Sequence, residues 1–302
     1  MRPLLFLPVE TTYLPHVQPR ARRVAIGTFD GVHCGHREVI EGADTVLTFE
    51  PHPSSVVSPR HLPRLLTSLD IKAELIAELG VGELVVIPFD RAFAEHEPEW
   101  FIDEVLVGRL NATHVSVGEN FRFGHRARGT TALLARDPRF QTRVVKLLEV
   151  EGEIVSSSHI RGLVAAGEVD QAARFLGRPF RLRGPVVHGD HRGRTLGFPT
   201  ANQVPDERLV LPGHGIYAVL ADGRPACTSI GVRPTFDTGR GELIETFLID
   251  FSGDLYGHDV RLDFLRRLRG ERRFESAEAL IAQMELDVEQ ARAIAGGGAQ
   301  AA

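Results

Sequence analysis

Cysteine is almost absent from this sequence of 302 residues: Cys34 and Cys227 are the two it has, too few and too distant for a disulfide framework or a zinc cluster. A reducing compartment, the cytoplasm, is the expectation. Long apolar runs are missing too. The opening Met1-Arg2-Pro3-Leu4-Leu5-Phe6-Leu7-Pro8 is apolar for only a few residues and is broken by two prolines, so neither a signal nor a spanning segment is expected there. Nor is there an excess of positive charge. The 35 Lys and Arg stand against 40 Asp and Glu, a formal net charge of −5, and most arginines sit singly or in short pairs such as Arg22-Arg23, a pattern that more often solvates a surface than binds a polyanion. Nucleic acid and membrane are therefore not expected partners.

What is present is the composition of an ordinary folded protein, 43% apolar and 25% charged. The length predicts two cores. From Arg22 to about Glu149, short β-branched runs alternate with amphipathic stretches of helical length, the pattern of a parallel sheet wrapped by helices. Strands are expected at 24–27, 45–49, 83–89, 113–118 and 142–148. Helical spacing of apolar residues marks 69–79 and 99–110. A helix over 162–176, broken near Gly167, ends at Gly177 as a C-cap with Pro179 two residues on. That places a domain boundary between 178 and 179.

Beyond the boundary the pattern changes to short strands punctuated by Gly, Pro and Asp, at 180–188, 215–220, 226–231, 243–251 and 258–264. An antiparallel barrel is the natural reading. Ser276 reads as the N-cap of a final helix running to about Ala295, followed by a disordered tail over 296–302.

The most informative stretch of the first half is Gly27-Thr28-Phe29-Asp30-Gly31-Val32-His33-Cys34-Gly35-His36, where the first strand ends and the first helix begins. Free backbone N–H groups at a helix start attract phosphate. His33 and His36, three apart, fall on one helix face and can both donate to phosphate oxygens. Gly35 keeps a Cβ out of the way of a nucleotide. Taken alone, two histidines near a turn could equally be surface residues or zinc ligands.

The decapeptide as a whole resembles the His-x-Gly-His signature of the nucleotidyltransferase superfamily, in the form found in the bacterial riboflavin kinase/FMN adenylyltransferase family. Further segments resemble that family's blocks in the right order: Thr48-Phe49-Glu50-Pro51-His52-Pro53, Leu66-Thr67-Ser68-Leu69, Val117-Gly118-Glu119-Asn120-Phe121-Arg122-Phe123-Gly124 and Ser157-Ser158-His159-Ile160-Arg161. The resemblance implies a Rossmann-like doubly wound domain over 1–178 that adenylylates FMN with ATP. Gly27, Phe29, Asp30, His33, His36, Ser157, Ser158 and Arg161 would hold ATP and its phosphates, and Asn120 and Arg122 the FMN. Phe121 and Phe123 either wall the isoalloxazine or pack a loop, and a plain helix N-cap is the alternative for Ser158, compatible with a phosphate contact. Two features depart from the family pattern. Eight residues separate His36 from Thr45, an unusually short crossover, and Cys34 stands at a variable position, where it is read as packing.

In the second half, Gly189-Asp190-His191-Arg192-Gly193-Arg194-Thr195-Leu196-Gly197-Phe198-Pro199-Thr200-Ala201-Asn202 is a glycine-rich polar loop, which by itself looks like any turn between strands. Its Pro-Thr-Ala-Asn ending resembles the metal and ATP motif of riboflavin kinases. That implies a kinase domain over 179–302 in which Thr200 and Asn202 hold Mg²⁺ and Gly189, Gly193 and Gly197 border ATP and riboflavin; Arg233, in the similar block Gly231-Val232-Arg233-Pro234-Thr235-Phe236, either joins them at the phosphates or ties down a turn. Glu245, in a block similar to the family's, would accept the proton of riboflavin's terminal hydroxyl; an exposed strand glutamate is the plain alternative. Neither half contains a Gly-x-x-x-x-Gly-Lys-Ser/Thr loop, so the phosphate cradle is not of the P-loop kind.

Two other readings compete. One is a nucleotidyltransferase of narrower scope, against which the second half argues with its metal motif and base. The other is a non-catalytic flavin carrier, which loss of His36, Asn202 or Glu245 would favour; none is lost. The expected partners are riboflavin, FMN and ATP; no oligomeric state is implied.

Overall fold

The computed structural model describes residues 9–188, 198–232 and 241–298. By contacts the chain divides into two units. Met1–Pro63 and Thr67–Ser157 form the first, and Arg64–Leu66 with Ser158–Ala302 the second.

The first unit is built on a six-stranded sheet: β1 (Glu10–Tyr13), β2 (Arg22–Ile26), β3 (Thr45–Glu50), β4 (Glu83–Pro88), β5 (Ala112–Gly118) and, after a two-residue hairpin of β6 (Arg122–Phe123) and β7 (Gly129–Thr130), β8 (Gln141–Val145). All neighbours in the order β1-β4-β3-β2-β5-β8 are parallel. Parallel strands covered on both faces read as continuous apolar runs, and alternate residues then feed opposite cores. In β4, Leu84 and Val86 join one core with Val46, Ile71 and Ile76, while Val85 and Ile87 join the other with Leu47, Ile102 and Leu106.

The crossover from β2 to β3 is the seven-residue α1 (Cys34–Ile40), short as expected. After α2 (Pro53–Val57), α3 (Leu69–Ala77) begins at Ser68, whose Oγ caps the N–H of Ile71 at 3.4 Å. Two short turns, α4 (Arg91–Ala94) and α5 (Pro98–Trp100), lead into a stretch over Phe101–Arg109 expected as α-helix. It winds instead as a π-helix, with the N–H of Leu110 reaching the carbonyl of Val105, five residues back, at 2.9 Å. α6 (Thr131–Arg136) and the hairpin of β9 (Glu149–Val150) and β10 (Glu153–Ile154) complete the unit.

The second unit opens with α7 (Ser157–Ala166) and α8 (Val169–Leu176), broken at Gly167 and ended by Gly177, whose φ of 68° is the left-handed cap anticipated from the sequence. Its centre is a closed antiparallel barrel of β11 (Phe180–Val187), β12 (Ala201–Gln203), β13 (Gly215–Ala221), β14 (Arg224–Val232), β15 (Glu242–Leu248) and β16 (Asp259–Arg269), in the order β11-β12-β15-β14-β13-β16. The sixth strand, β12, is the one the sequence pattern did not show. A final helix, α9 (Ala277–Gly298), packs Val288, Ala291 and Ile294 against Ala218, Cys227, Phe247 and Ile249. Arg269 grips the buried Asp287 with both ends of its guanidinium, at 2.7 and 3.1 Å. Gly296 and Gly297 belong to this helix rather than to a disordered tail, because the i−4 ladder started by the Ser276 cap carries through them.

Candidate active sites of the two units

In the first unit, β2, β3 and β4 follow one another across the sheet in one direction while β5 lies on the other side of β2. This is a topological switch point, where open parallel sheets bind ligands outside the carboxyl ends of their strands. The Gly27–His36 loop leaves β2 at this crevice and the Glu119–Gly124 loop leaves β5 there.

The first loop is held under strain. Phe29 has φ 48° and β-branched Val32 φ 41°, conformations that cost side-chain-bearing residues energy and concentrate at functional sites. Packing and hydrogen bonds hold the shape. The N–H of Gly31 donates to Thr67 Oγ1 at 3.1 Å, the N–H of Thr67 to Asp30 Oδ1 at 3.2 Å, and Ser157 Oγ to the carbonyl of Asp30 at 3.0 Å. Thr67 is thus a buried clamp for the loop, a role that its motif did not announce.

His33 caps α1. Its Nδ1 accepts the N–H of His36 at 3.3 Å, so the neutral ring carries its proton on Nε2. The His36 ring stacks on His33 with centroids 3.5 Å apart and meets the edge of Phe29 at 5.3 Å. Burial pulls the His33 pKa down to about 4. It pulls His36 well below the ordinary imidazole value as well, helped by repulsion from His33 and from the Lys72 ammonium. His36 as a residue keeps some open surface, but its Nδ1 is sealed and without a partner. Both rings are therefore uncharged near neutral pH.

Phe29, expected among the ATP contacts, is 1% exposed and supports His36 from below. A Cβ on Gly27 would stand 3.0 Å from the Phe29 ring. Gly35 leaves room beside the His33 ring, 3.4 Å from the place of a Cβ, and Cys34 is a half-buried thiol, in no disulfide, in the first turn of α1. Asn120 and Arg122 are exposed at the end of β5, with Phe121 stacked on the buried Phe123 at 5.6 Å. Gly124 is forced: at φ 70°, a Cβ would lie 2.7 Å from Pro98. Further along, Arg161 Nη2 donates to Ser158 Oγ at 3.2 Å within the first turn of α7.

In the barrel, register assembles the second site. Glu245 on β15 stands opposite Asn202 on β12 and opposite Ser229 on β14, so the three share one face. Cys227 and Phe247, one step along that face, lie beneath α9, whereas Glu245 is half-buried. Asn202 is 5% exposed; its Nδ2 donates to the carbonyl of Thr200 at 3.4 Å, and its Oδ1 is buried without a partner. Phe198 meets Phe247 edge to face at 5.2 Å. Gly189, Gly193, Gly197 and Arg233 lie outside the described residues. Among the described residues no three His, Cys, Asp or Glu gather to hold a metal.

The FAD synthetase family matches residues 16–159 and the riboflavin kinase family residues 176–295. The bifunctional riboflavin kinase/FMN adenylyltransferase of Listeria monocytogenes is 38% identical over 287 residues, 89% of this chain and 91% of that one. The chain belongs to the bifunctional riboflavin kinase/FMN adenylyltransferase family. It carries both of the family's activities, riboflavin kinase and FAD synthetase, with riboflavin, FMN and ATP as substrates. The relative of the same name from Escherichia coli K12 is 37% identical over 89% of this chain and 91% of its own. A solved structure titled as a macrolide-efflux protein from Streptococcus pneumoniae shares the fold at a TM-score of 0.84 and 30% identity, covering 94% of this chain and 99% of that one. In this chain, no described helix is long and apolar enough to cross a membrane.

Proposed function

We propose that the two activities divide along the chain, adenylyl transfer to residues 1–178 and riboflavin phosphorylation to residues 179–302, each run by the side chains singled out above. The observation that carries this reading is that the strained histidine loop lies on the sheet of the first unit and the Asn202, Glu245 and Ser229 face on the barrel of the second.

In adenylyl transfer the FMN phosphate attacks the α-phosphorus of ATP and pyrophosphate leaves. The nucleophile is already ionised, so the protein needs no base; it must align two polyanions and stabilise growing charge. His33 and His36 donate neutral N–H groups to the phosphates, Gly27 and Asp30 shape the loop that carries them, and Ser157, Ser158 and Arg161 hold the leaving pyrophosphate. Asn120 and Arg122 receive FMN, and half-buried Phe121 gives its ring a surface to lie on.

In the kinase the nucleophile is a hydroxyl, and Glu245 takes its proton as the oxygen attacks the γ-phosphorus of ATP and ADP leaves. Thr200 and Asn202 are the residues that would hold Mg²⁺. The buried Oδ1 of Asn202 fits a hard cation carried in on phosphates, which when bound neutralises their charge. Gly189, Gly193, Gly197 and Arg233 would border the nucleotide and flavin. Two cysteines in no disulfide accord with a cytoplasmic setting.

Incubating the purified chain with riboflavin, ATP and Mg²⁺ and separating the flavins by chromatography tests the reading. FMN and FAD should both form, and substitutions at His36 and Glu245 should each stop one step. Loss of both steps on either substitution would overturn the division.

A further inference from the structure

Lys72 is a buried charge beside the histidine loop that this mechanism leaves unused. It sits on α3 between Ile71 and Ala73, is 5% exposed, and its Nζ donates to Thr48 Oγ1 at 3.4 Å, at the carboxyl end of β3. The Thr48 hydroxyl donates onward to the carbonyl of Thr28, inside the histidine loop, at 3.2 Å. The ammonium is attracted by the carboxylates of Asp30 in that loop and Glu50 at the end of β3, and it repels a proton on His36. Desolvation outweighs those attractions and lowers the pKa of Lys72 from its usual value.

We propose that Lys72 is a positioning residue for adenylyl transfer: its ammonium, tied through Thr48 to the histidine loop and set between Asp30 and Glu50, supplies the standing positive charge behind the two histidines. Without it, the two histidine rings would be backed by the carboxylates of Asp30 and Glu50. Packing alone does not ask for a lysine here, because an apolar side chain of similar volume fills such a place without the several kcal/mol that desolvating an ammonium costs. Charge held in a site shielded from water acts strongly on a reacting phosphate and needs no reorganisation as the reaction proceeds.

The inference rests on the adenylyl-transfer reading of this site, and the test separates the two. The whole chain, wild type and the variants Lys72→Gln and Lys72→Met, is given FMN, ATP and Mg²⁺, and FAD formation is followed over a range of FMN concentrations. Lys72→Gln keeps a donor for Thr48 and drops the charge; Lys72→Met drops both. Both should lower kcat for FAD at least tenfold with KM for FMN within threefold, leave riboflavin phosphorylation at the wild-type rate, and melt no earlier than wild type. A Lys72→Gln chain that makes FAD at the wild-type rate overturns the proposal, whatever its melting temperature, and decides the matter alone if Lys72→Met does not fold. A wild-type chain that makes no FAD overturns the underlying site reading instead.

Discussion

Under the proposed division, the sheet site and the barrel site handle the same polyanion, ATP, with opposite equipment. On the sheet, a loop strained at Phe29 and Val32 presents two uncharged imidazoles, His33 buried and His36 half-buried. On the barrel, a half-buried carboxylate, a buried amide and a hydroxyl line up by strand register across β12, β15 and β14. The difference follows from the nucleophiles. A phosphate arrives ionised and needs only donors and fixed charge, whereas an alcohol has a proton to lose and needs a base. Two phosphorus-transfer reactions on one chain thus differ most in the one group that takes a proton.

Removing that group breaks the comparison most sharply. Glu245→Gln keeps shape and a hydrogen-bonding oxygen but gives up basicity, so riboflavin phosphorylation should fall by about 10² to 10⁴. Supplied with FMN, the same variant should make FAD at the wild-type rate. Chromatography of the flavins reads both. Near-normal phosphorylation would move the base to another carboxylate.

His36→Ala is the mirror experiment. Loss of one preorganised donor should lower FAD formation by about 10², with FMN formation from riboflavin unchanged. Equal loss of both would mean that the variant had unfolded or that the sites are shared.

The contrast between the sites also explains which parts of them the sequence disclosed. The buried strands were legible because doubly covered parallel strands are apolar throughout, as in Leu84-Val85-Val86-Ile87. β1 was not, being a four-residue edge strand of sequence Glu-Thr-Thr-Tyr. β12 was hidden for another reason: three residues between Pro199 and Pro205 read as loop, and only pairing with β11 and β15 makes them strand. The histidines and Glu245 were legible through their motifs, but the positive φ at Phe29 and Val32 and the opposition of Asn202 to Glu245 are facts of tertiary structure. Lys72 passed as one more residue of an amphipathic helix. Its signal was its place, since a lysine directly after Ile71 and one turn before Leu75 and Ile76 lies on the side of α3 that is buried.

A smaller effect separates the sites by metal. Asn202→Leu fills the same buried space and removes the unpartnered Oδ1, and the Mg²⁺ concentration for half-maximal kinase rate should rise about tenfold. The Mg²⁺ dependence of FAD formation should not move. A titration of both rates against Mg²⁺ distinguishes a metal ligand at position 202 from a strand residue that merely packs.

The smallest effect concerns stability, and it follows from the neutral histidines. His33 has its pKa lowered by burial from 6.5 to about 4, so between those values the unfolded chain binds a proton that the folded chain refuses. The sign is fixed by that difference. The stabilisation is complete above pH 6.5 and drains away as the pH falls through 6.5 toward 4, at about 1.4 kcal/mol per pH unit inside the window. For a unit of this size each kcal/mol is worth roughly 2–4 °C of melting temperature. Scanning calorimetry at pH 7.5 and 5.5 should therefore show a drop of a few degrees from this residue. His33→Asn is the informative comparison, because asparagine can still cap α1 toward the N–H of His36 but does not titrate. The variant should start lower at pH 7.5 if the imidazole packs better, yet lose less on acidification. An equal drop in both proteins would assign the acid sensitivity to other groups and leave His33 a cap whose proton plays no part in stability. A smaller drop in the variant would show that the sheet site's histidines are held neutral at the expense of acid stability, a cost that the barrel, with no buried histidine among its described residues, does not carry.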